Sequence, residues 1–308
     1  MVGAAEGGCR DGALVSTAWL VTGARGQLGH DLVEVLTGRP GDEVTALGRA
    51  ELDLTDERAV RTTVRDWLAR SAGSRSVVLN AAAYTAVDAA EDDEATAAVV
   101  NGAAPGWLAE ELAGRGRLVH VSTDYVFPGT AGRPYRVDDE PAPRSAYGRT
   151  KLAGERAVQT VDDDAVVVRT AWVYGTSGSN FVRTMLRLEG ERDTVSVVAD
   201  QTGSPTWSAD LAAGLVEAAL APVRGVLHAT NAGTTTWFGL AQRVFELAGA
   251  DPARVLPVTT EEFPRPAPRP AYSVLDPAGW TEAGLTALPA WPDSVRACLA
   301  QLGALSSR

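Results

Sequence analysis

The chain has 308 residues, a formal net charge of -11 and a sequence pI near 4.8. This acidic balance opposes nucleic acid as a partner, because phosphate backbones are held by clustered Lys and Arg. Cys9 and Cys298 are too few for a disulfide framework or a cysteine-rich metal site, and they fit a reducing cytoplasm. Since no apolar stretch approaches the roughly 20 residues that span a bilayer, no membrane association is expected.

The first 17 residues are rich in Gly and Ala and lack the basic start and apolar run of a secretory signal, so we expect a flexible extension. From residue 18 onward, short β-branched runs alternate with segments of helical period, which is typical of a parallel sheet covered by helices. The predicted strands are 19–22, 43–47, 76–80, 117–122, 165–170 and 225–230, and the predicted helices are 28–36, 57–70, 95–113 and 147–160.

After residue 171 the alternation loosens, with helices expected near 180–188 and 209–220 and a Pro-rich stretch at 264–270. This change indicates a second, smaller lobe. We interpret the acidic runs 91–94 and 162–164 as solvated helix ends or turns.

A glycine cluster joins the first predicted strand to the first helix. Gly23, Gly26 and Gly29 are spaced three apart, which leaves backbone N–H groups and a helix N-terminus free to approach a pyrophosphate. Such glycines can merely tighten a turn, but their place near the start of an α/β chain favours a dinucleotide site. Arg49 follows the second strand, where it can meet a 2′-phosphate, so we predict NADPH, with NADH also possible.

Tyr147 and Lys151 are the most informative pair, because Lys151 is the only lysine beside 27 arginines. Residues i and i+4 share one face of a helix, so phenol and ammonium can border one site. A free phenol has a pKa of about 10, and a nearby ammonium should lower it. The sequence therefore predicts a proton-handling pair, and the alternative is an ordinary surface pair.

Thr123 stands at the carboxyl end of the predicted strand 117–122, where open α/β sheets bind ligands. Its hydroxyl can hydrogen-bond a substrate carbonyl oxygen, although such residues often only cap the next turn. The histidines His30, His120 and His228 show no ligand spacing with cysteines or carboxylates, so no metal is expected. We place His30 on the first helix and interpret His120 as a satisfied core residue.

Several motifs together resemble those of the extended short-chain dehydrogenase/reductase superfamily, and within it those of the dTDP-4-dehydrorhamnose reductase family. The resemblance runs from about residue 18 to about residue 276. Its motifs are Gly23-x-x-Gly26-x-x-Gly29, Asn80-Ala81-Ala82-Ala83, Ser122-Thr123-Asp124-Tyr125-Val126-Phe127 and Tyr147-x-x-x-Lys151.

The resemblance implies a Rossmann-type doubly wound parallel sheet with a smaller C-terminal sugar-nucleotide-binding domain. The dinucleotide-binding domain would cover 18–170, with 209–231 packing back on it, and 171–308 would be mainly the substrate-binding domain. The implied residue roles are catalytic for Thr123, Tyr147 and Lys151; cofactor-binding for Gly23, Gly26, Gln27, Leu28, Gly29, Arg49, Asp53, Leu54, Ala81, Ala82, Ala83 and Lys151; and substrate-binding for Asp124, Tyr125, Tyr147, Trp172, Asn180 and Arg269.

The implied reaction is NADPH-dependent reduction of the C4 keto group of a dTDP-4-keto-6-deoxysugar, first of all dTDP-4-dehydrorhamnose to dTDP-L-rhamnose. Asn101 would support the active-site geometry. One departure narrows the reaction: related 4,6-dehydratases carry a Glu for elimination where this chain has Tyr125. The N-terminal extension is a second departure and has no role in the resemblance.

Four alternatives stay open at this point. The protein could be a sister reductase of antibiotic deoxysugar biosynthesis, including a dihydrostreptose-synthase-like enzyme. It could also be an epimerase that recycles its nicotinamide, or a non-catalytic NADP-binding regulatory subunit. A metal-dependent enzyme is the weakest of the four. A homodimer is common for such folds.

Overall fold

The structure is a computed structural model that describes residues 16–306. The expected N-terminal extension lies outside these residues apart from its last two, and Thr17 already belongs to the first strand. The strands are β1 (Thr17–Thr22), β2 (Glu43–Leu47), β3 (Arg75–Asn80), β4 (Arg117–Thr123), β5 (Val166–Thr170), β6 (Val173–Tyr174), β7 (Val195–Val198), β8 (Thr202–Gly203), β9 (Thr206–Trp207), β10 (Gly225–His228), β11 (Thr235–Thr236) and β12 (Val255–Val258).

The helices follow the strands in alternation through the first half of the chain. None of the helices in residues 16–306 is long and apolar enough to cross a membrane. They are α1 (Gln27–Thr37), α2 (Glu57–Arg70), α3 (Ala89–Asp92), α4 (Glu94–Ala97), α5 (Ala104–Leu112), α6 (Ala146–Val161), α7 (Phe181–Glu191), α8 (Ser208–Leu220), α9 (Trp237–Leu247), α10 (Ala278–Glu282) and α11 (Trp291–Gln301).

Six strands form one parallel sheet in the order β10-β5-β4-β3-β1-β2. The chain starts at β1, adds β2 on one side and then β3, β4, β5 and β10 on the other, which confirms the predicted α/β Rossmann-type fold. Every predicted strand of this sheet is present, with ends that differ by at most two residues. The carboxyl ends of β1, β3, β4 and β5 therefore meet along one edge.

Both faces of the sheet are covered, as the continuous apolar strands require. On one face α1 and α8 pack around side chains such as Trp19 and Leu215, and on the other α2, α5 and α6 enclose Leu20 and Leu108. All four side chains are fully buried. Burial of each such side chain contributes about 1.5–3 kcal/mol, so the two layers fix the sheet as a rigid base for its edge.

The predicted helix 95–113 is wrong in its middle, because a π-helical segment at Ala98–Ala103 separates α4 from α5. Pro105 has no N–H to donate to the carbonyl four residues earlier, which is that of Asn101. That carbonyl instead faces Gly154 of α6, where any Cβ would collide with it. The irregular turn thus lets α6 approach closely and buries Asn101 completely.

Elements after residue 171 form a third core of their own. Buried side chains of α7, α9 and α11 pack there with β7 and β12, which pair with each other. Two elements return to the first half: α8 packs on α1, and β10 pairs with β5. The C-terminal elements therefore stand beside the carboxyl edge of the sheet.

The acidic run 91–94 does more than end a helix in solvent. Glu91 accepts a hydrogen bond from the Ala146 N–H at 2.8 Å, and Glu94 forms an ion pair with Arg149 at 2.8 Å. Both contacts hold the first turn of α6, whose N-cap Ser145 accepts from the Gly148 N–H. The run lies at the ends of α3 and α4, as predicted, and these two glutamates also tie it to α6.

A buried ion pair fixes α6 to the sheet. Glu155 of α6 and Arg169 of β5 are 1% and 4% exposed, and their closest atoms lie 2.7 Å apart. Ser122 of β4 donates to the same carboxylate, and the guanidinium lies 4.9 Å above the Phe127 ring. Removal of one partner would leave a buried charge uncompensated, which is costly.

We therefore expect Glu155→Gln to lower the free energy of unfolding by about 3–5 kcal/mol. Urea unfolding followed by circular dichroism measures this change. The control is Glu94→Gln, since its pair with Arg149 is 45% exposed on both sides and should contribute less than about 1 kcal/mol. Equal losses in the two variants would show that the buried pair does not anchor α6.

Candidate functional site

A cavity of about 690 Å³ opens along the carboxyl edge of the sheet. It runs from the loop after β1, past the ends of β3 and β4 and the first turn of α6, to the start of α9. All of the residues that the sequence assigned to cofactor binding line this cavity, together with the three assigned to catalysis. The chain thus brings the glycine loop and the Thr–Tyr–Lys group into one continuous space.

Two glycines of the loop, Gly23 and Gly29, are closely packed against backbone atoms, and the third, Gly26, has open space beside it. Gly23 has a φ of +71°, and a Cβ there would lie 2.6 Å from the Ala82 nitrogen. A Cβ on Gly29 would collide with the loop itself. At Gly26 the only neighbour within 4 Å of such a Cβ is the Gly23 carbonyl oxygen, so the residue leaves room on the cavity side.

The N-terminus of α1 is suited to an anion. Its N-cap, Gly26, offers no side-chain hydrogen bond, and the first turn contains no acidic residue. The free N–H groups and the positive end of the helix therefore face the cavity without a competing carboxylate. A pyrophosphate fits this cradle, so the residues present suit a dinucleotide cofactor.

The far end of the cavity carries two arginines instead of one. Arg49 and Asp53 line it as predicted, and the Asp53 carboxylate accepts from the Thr55 N–H and hydroxyl at 2.9 and 2.8 Å. Arg25, which the sequence reasoning missed, lies at the same end and pairs with Glu51 at 3.4 Å. Its position between Gly23 and Gly26, inside the glycine motif, could have indicated a role at the cofactor site.

Thr123 and Tyr147 meet at the centre of the cavity. The Thr123 hydroxyl lies 3.0 Å from Asp124 Oδ1 and accepts from the Tyr125 N–H at 3.2 Å. Burial raises the pKa of Tyr147 to about 12, against a smaller opposite effect of the Thr123 hydroxyl. Thr123 therefore caps the following turn, as the alternative interpretation held, and its hydroxyl also lies near the Tyr147 phenol; its bond to a substrate carbonyl stays a prediction.

The expectation that Lys151 lowers the pKa of Tyr147 was wrong for this structure. Lys151 is 1% exposed, and its Nζ donates to the Val121 carbonyl oxygen at 2.7 Å and lies 3.3 Å from His120 Nε2. Burial lowers the pKa of the Lys151 ammonium to about 8, and the Glu155 carboxylate opposes this change. The phenol thus stays protonated at neutral pH, and the titrating member of the pair is the lysine.

Asp124 and Tyr125 border the same space. Burial raises the pKa of the Asp124 carboxyl to about 6, with the hydroxyls of Ser273 and Thr123 acting in the opposite direction. The Tyr125 ring stands edge-on to Tyr147 with 5.5 Å between ring centroids. Burial also raises the pKa of the Tyr125 phenol.

Trp172 closes the cavity from the side of the C-terminal lobe. It is the one described non-glycine residue with a positive φ, at 49°, a conformation that strains a bulky side chain. Its ring stacks on Trp237 at 3.6 Å and lies so close to Gly203 that no Cβ fits there. Trp237 was missed by the sequence reasoning, because it lies on the C-terminal lobe, outside every motif.

Asn180 and Arg269 do not line the main cavity, and their assignment to substrate binding stays a prediction. The Asn180 amide is used as the N-cap of α7: its oxygen accepts from the Arg183 N–H at 3.0 Å, and its nitrogen donates to the Gly175 carbonyl at 2.8 Å. Arg269 pairs with Asp88 at 2.8 Å and borders a separate small pocket that it shares with Tyr125. In this structure the polar groups of Asn180 and Arg269 are therefore engaged by contacts within the protein.

Asn101 supports the site from behind. Its amide oxygen accepts from the Tyr84 N–H at 2.8 Å, and its nitrogen donates to the Tyr84 carbonyl and the Thr150 hydroxyl, both at 3.2 Å. These bonds tie the loop after β3 to the turn of α6 between Tyr147 and Lys151.

One expectation about histidines also needs correction. His30, Asp31 and Glu34 of α1 bring ligand-type atoms within 4.8 Å of one another, so a histidine does lie beside carboxylates. The Asp31 carboxylate, however, already accepts a hydrogen bond from the Ser208 hydroxyl, and His30 is exposed. His120 is fully buried on β4 and His228 on β10.

Comparison with known proteins gives a consistent result. The family model described as RmlD substrate binding domain matches residues 17–304. A dTDP-4-dehydrorhamnose reductase of Streptomyces griseus is 53% identical over 280 residues, which cover 89% of this chain and 90% of that protein. A probable dTDP-4,6-dihydroxy-2-methyloxan-3-one 4-ketoreductase of Streptomyces antibioticus is 52% identical over 281 residues, covering 90% and 93%.

The fold is similar to that of a solved dTDP-4-dehydrorhamnose reductase of Bacillus anthracis in complex with NADP, with a TM-score of 0.87, 35% identity and coverage of 93% and 99%. A Rossmann sheet with a glycine cradle and a Thr–Tyr–Lys group at its carboxyl edge defines an NAD(P)-dependent oxidoreductase of the extended short-chain dehydrogenase/reductase class. Within that class, the chain belongs to the dTDP-4-dehydrorhamnose reductase family.

We expect Arg49→Ala to weaken NADPH binding by about 10-fold or more while leaving NADH binding nearly unchanged, because a charge-assisted hydrogen bond contributes about 1.5–3 kcal/mol and only NADPH carries the 2′-phosphate. Fluorescence titration of both cofactors measures the effect. Arg58→Ala is the control, since Arg58 is exposed on α2 and does not line the cavity. Equal losses for both cofactors would remove the assignment of Arg49.

Proposed function

We propose that the protein reduces the C4 keto group of a dTDP-4-keto-6-deoxysugar, first of all dTDP-4-dehydrorhamnose to dTDP-L-rhamnose. When bound in the cavity, NADPH supplies the hydride. The observation that carries the proposal is the meeting of Thr123, Tyr147 and Lys151 with the glycine cradle in one cavity. Membership of the reductase family supports the same reaction.

The residue roles follow from the chemistry of each side chain. Tyr147 is protonated at neutral pH because burial raises its pKa to about 12, and it donates the proton to the developing alkoxide. Thr123 holds the carbonyl oxygen beside that phenol. Lys151 places a positive charge behind the phenol and stabilises the negative charge that remains when the proton has left.

Substrate binding is assigned to the side chains that border the space beyond Tyr147. Asp124, Tyr125 and Trp172 line it directly, and Trp237 extends the same wall. Asn180, at the start of α7, and Arg269, paired with Asp88, remain assigned to substrate binding.

Incubation with dTDP-4-dehydrorhamnose and NADPH, followed by product identification, tests this function. Loss of absorbance at the NADPH band with formation of the C4 alcohol is the expected result. An epimerised product without net NADPH loss would identify an epimerase. NADPH binding without any turnover would identify a regulatory subunit and overturn the proposal.

A sister reductase is the second candidate. The Streptomyces antibioticus 4-ketoreductase matches this chain as well as the Streptomyces griseus enzyme does, at 52% against 53% identity. Comparison of kcat/KM for dTDP-4-dehydrorhamnose and for other dTDP-4-keto-6-deoxysugars distinguishes the two. A higher value for another sugar would favour the antibiotic-type reductase.

A homodimer and a cytoplasmic location are further parts of this proposal. The dimer is supported by its general frequency among soluble oligomers. The location is supported by the two-cysteine composition.

Tyr147→Phe is expected to lower kcat about 100-fold or more, because it removes the proton donor and keeps the ring. NADPH affinity should change little. Tyr125→Phe is the matched control: its ring lies 5.5 Å from that of Tyr147, but the residue is assigned to binding, so we expect a change in KM instead of kcat. Near-normal kcat in Tyr147→Phe would exclude the phenol as donor.

The alkaline limb of activity should lie near pH 8. The charged form of Lys151 is the active one, and burial lowers its pKa to about 8, so kcat/KM falls as pH rises through that value. Tyr147 does not produce this limb, because its pKa is about 12. The profile of kcat/KM for NADPH reports the free enzyme and is the measurement of choice.

Lys151→Arg provides the control for this limb. A guanidinium does not lose its proton in this range, so the limb should disappear even though activity is lower. A limb that persists at the same pH in the arginine variant would assign the titration to another group.

A further inference from the structure

A row of four buried polar side chains leads through the sheet from Thr22 to Lys151, and both of these ends also line the cavity. The Thr22 hydroxyl is 2.7 Å from the Asn80 amide, the other end of that amide is 2.9 Å from His120 Nδ1, and His120 Nε2 is 3.3 Å from Lys151 Nζ. None of the four side chains is more than 1% exposed. The row crosses β1, β3 and β4 and ends on α6.

The lysine has three N–H donors, and two of them are directed to groups of β4. One donates to the Val121 carbonyl at 2.7 Å, and a second faces His120 Nε2 at 3.3 Å. Since Lys151 also lines the cavity, the third donor is left for that side. Two fixed contacts define the direction of the third N–H donor. A single contact would leave the ammonium free to rotate about the Cε–Nζ bond.

Counting donors gives the tautomer of His120. A charged ammonium offers only donors, so His120 Nε2 must carry the lone pair and Nδ1 must carry the proton. The Asn80 amide then turns its oxygen to Nδ1 and its nitrogen to the Thr22 hydroxyl, an exchange of two atoms that keeps every distance. The opposite tautomer would set an N–H against an N–H at 3.3 Å.

We propose that His120 is a positioning residue: held by Asn80, it accepts a hydrogen bond from the Lys151 ammonium at Nε2 and so directs the remaining ammonium donor into the cavity. This inference rests on the proposed function only for its kinetic consequence. It explains why a histidine stands at a fully buried position of a strand, where an apolar residue would fill the core at less cost.

His120 is suited to this role because it stays neutral. Burial and the adjacent Lys151 charge lower the pKa of its imidazole well below its usual value. On α6 itself the Glu155 carboxylate acts on the ammonium, Arg169 of β5 neutralises that carboxylate, and Tyr147 lines the same cavity. The π-helical segment Ala98–Ala103, which also packs against α6, has no ionisable side chain.

Nitrogen-15 NMR of the unliganded protein tests the tautomer without any turnover. The sequence contains three histidines, so selective histidine labelling gives three rings, and the His120→Gln variant identifies one of them. We expect a neutral His120 ring with a protonated Nδ1 and an unprotonated Nε2 from about pH 6 to about pH 7.5, where the Lys151 ammonium is charged. A protonated Nε2, or titration near the usual pKa of about 6.5, would overturn the proposal.

Two variants test the consequence for catalysis. His120→Leu removes the acceptor, and we expect kcat to fall about 10-fold or more, with the alkaline limb moving down by about one pH unit, because the charged lysine loses a hydrogen bond. The KM for the sugar nucleotide should stay within about 2-fold. His120→Gln places an amide oxygen near the position of Nε2 and should restore the limb and most of kcat.

His228→Leu is the matched control, because His228 is a buried histidine on β10 without a contact to Lys151. If the alkaline limb of the kcat/KM profile moves equally in His120→Leu and His228→Leu, or moves in neither, the proposed positioning role of His120 is wrong. Absence of turnover in the wild-type protein would overturn the proposed reductase function. The positioning proposal would still be tested by the NMR measurement of the His120 tautomer.

Discussion

The close packing of α6 against the turn after β4 and against the π-helical segment Ala98–Ala103 is the constraint on which the site depends. Gly148 and Gly154 permit it, since a Cβ on either would collide with a backbone carbonyl oxygen, that of Tyr125 or that of Asn101. With the helix so near, Lys151 reaches the Val121 carbonyl and Glu155 reaches Arg169. One helix therefore carries both the reacting phenol and the ion pair that fixes it to the sheet, so catalysis and stability draw on the same contact.

Burial is what separates the roles of the two proton-handling residues. The same desolvation raises the pKa of Tyr147 and lowers that of Lys151, because it disfavours a charge on either group. A phenol that keeps its proton suits a reduction, in which the enzyme must give a proton to an alkoxide. An ammonium with a lowered pKa still carries its charge at neutral pH, and it can stabilise the phenolate only after the proton has moved.

Local pattern was enough to predict the sheet, the glycine loop and the Tyr–Lys helix, because each depends on residues close together in the chain. The π-helical segment could not be predicted from helical period, since its cause is the missing N–H of Pro105 combined with the packing of Gly154 from another element. The capping role of Asn180 at the start of α7 was not predicted either, since it depends on where that helix begins. Trp237 meets Trp172 only in the folded chain, and no motif indicated it.

The contact between His120 and Lys151 could have been inferred from the period of polar residues in β4 and α6. On β4, His120 and Ser122 alternate with apolar neighbours and so point to one face of the sheet. On α6, Lys151 and Glu155 are four residues apart and also share a face. The structure joins these two polar pairs, with Lys151 beside His120 and Glu155 beside Ser122. Two polar residues at period two on a buried strand and two at period four on the buried face of a helix therefore indicate a contact between the elements, because each buried polar group needs a partner.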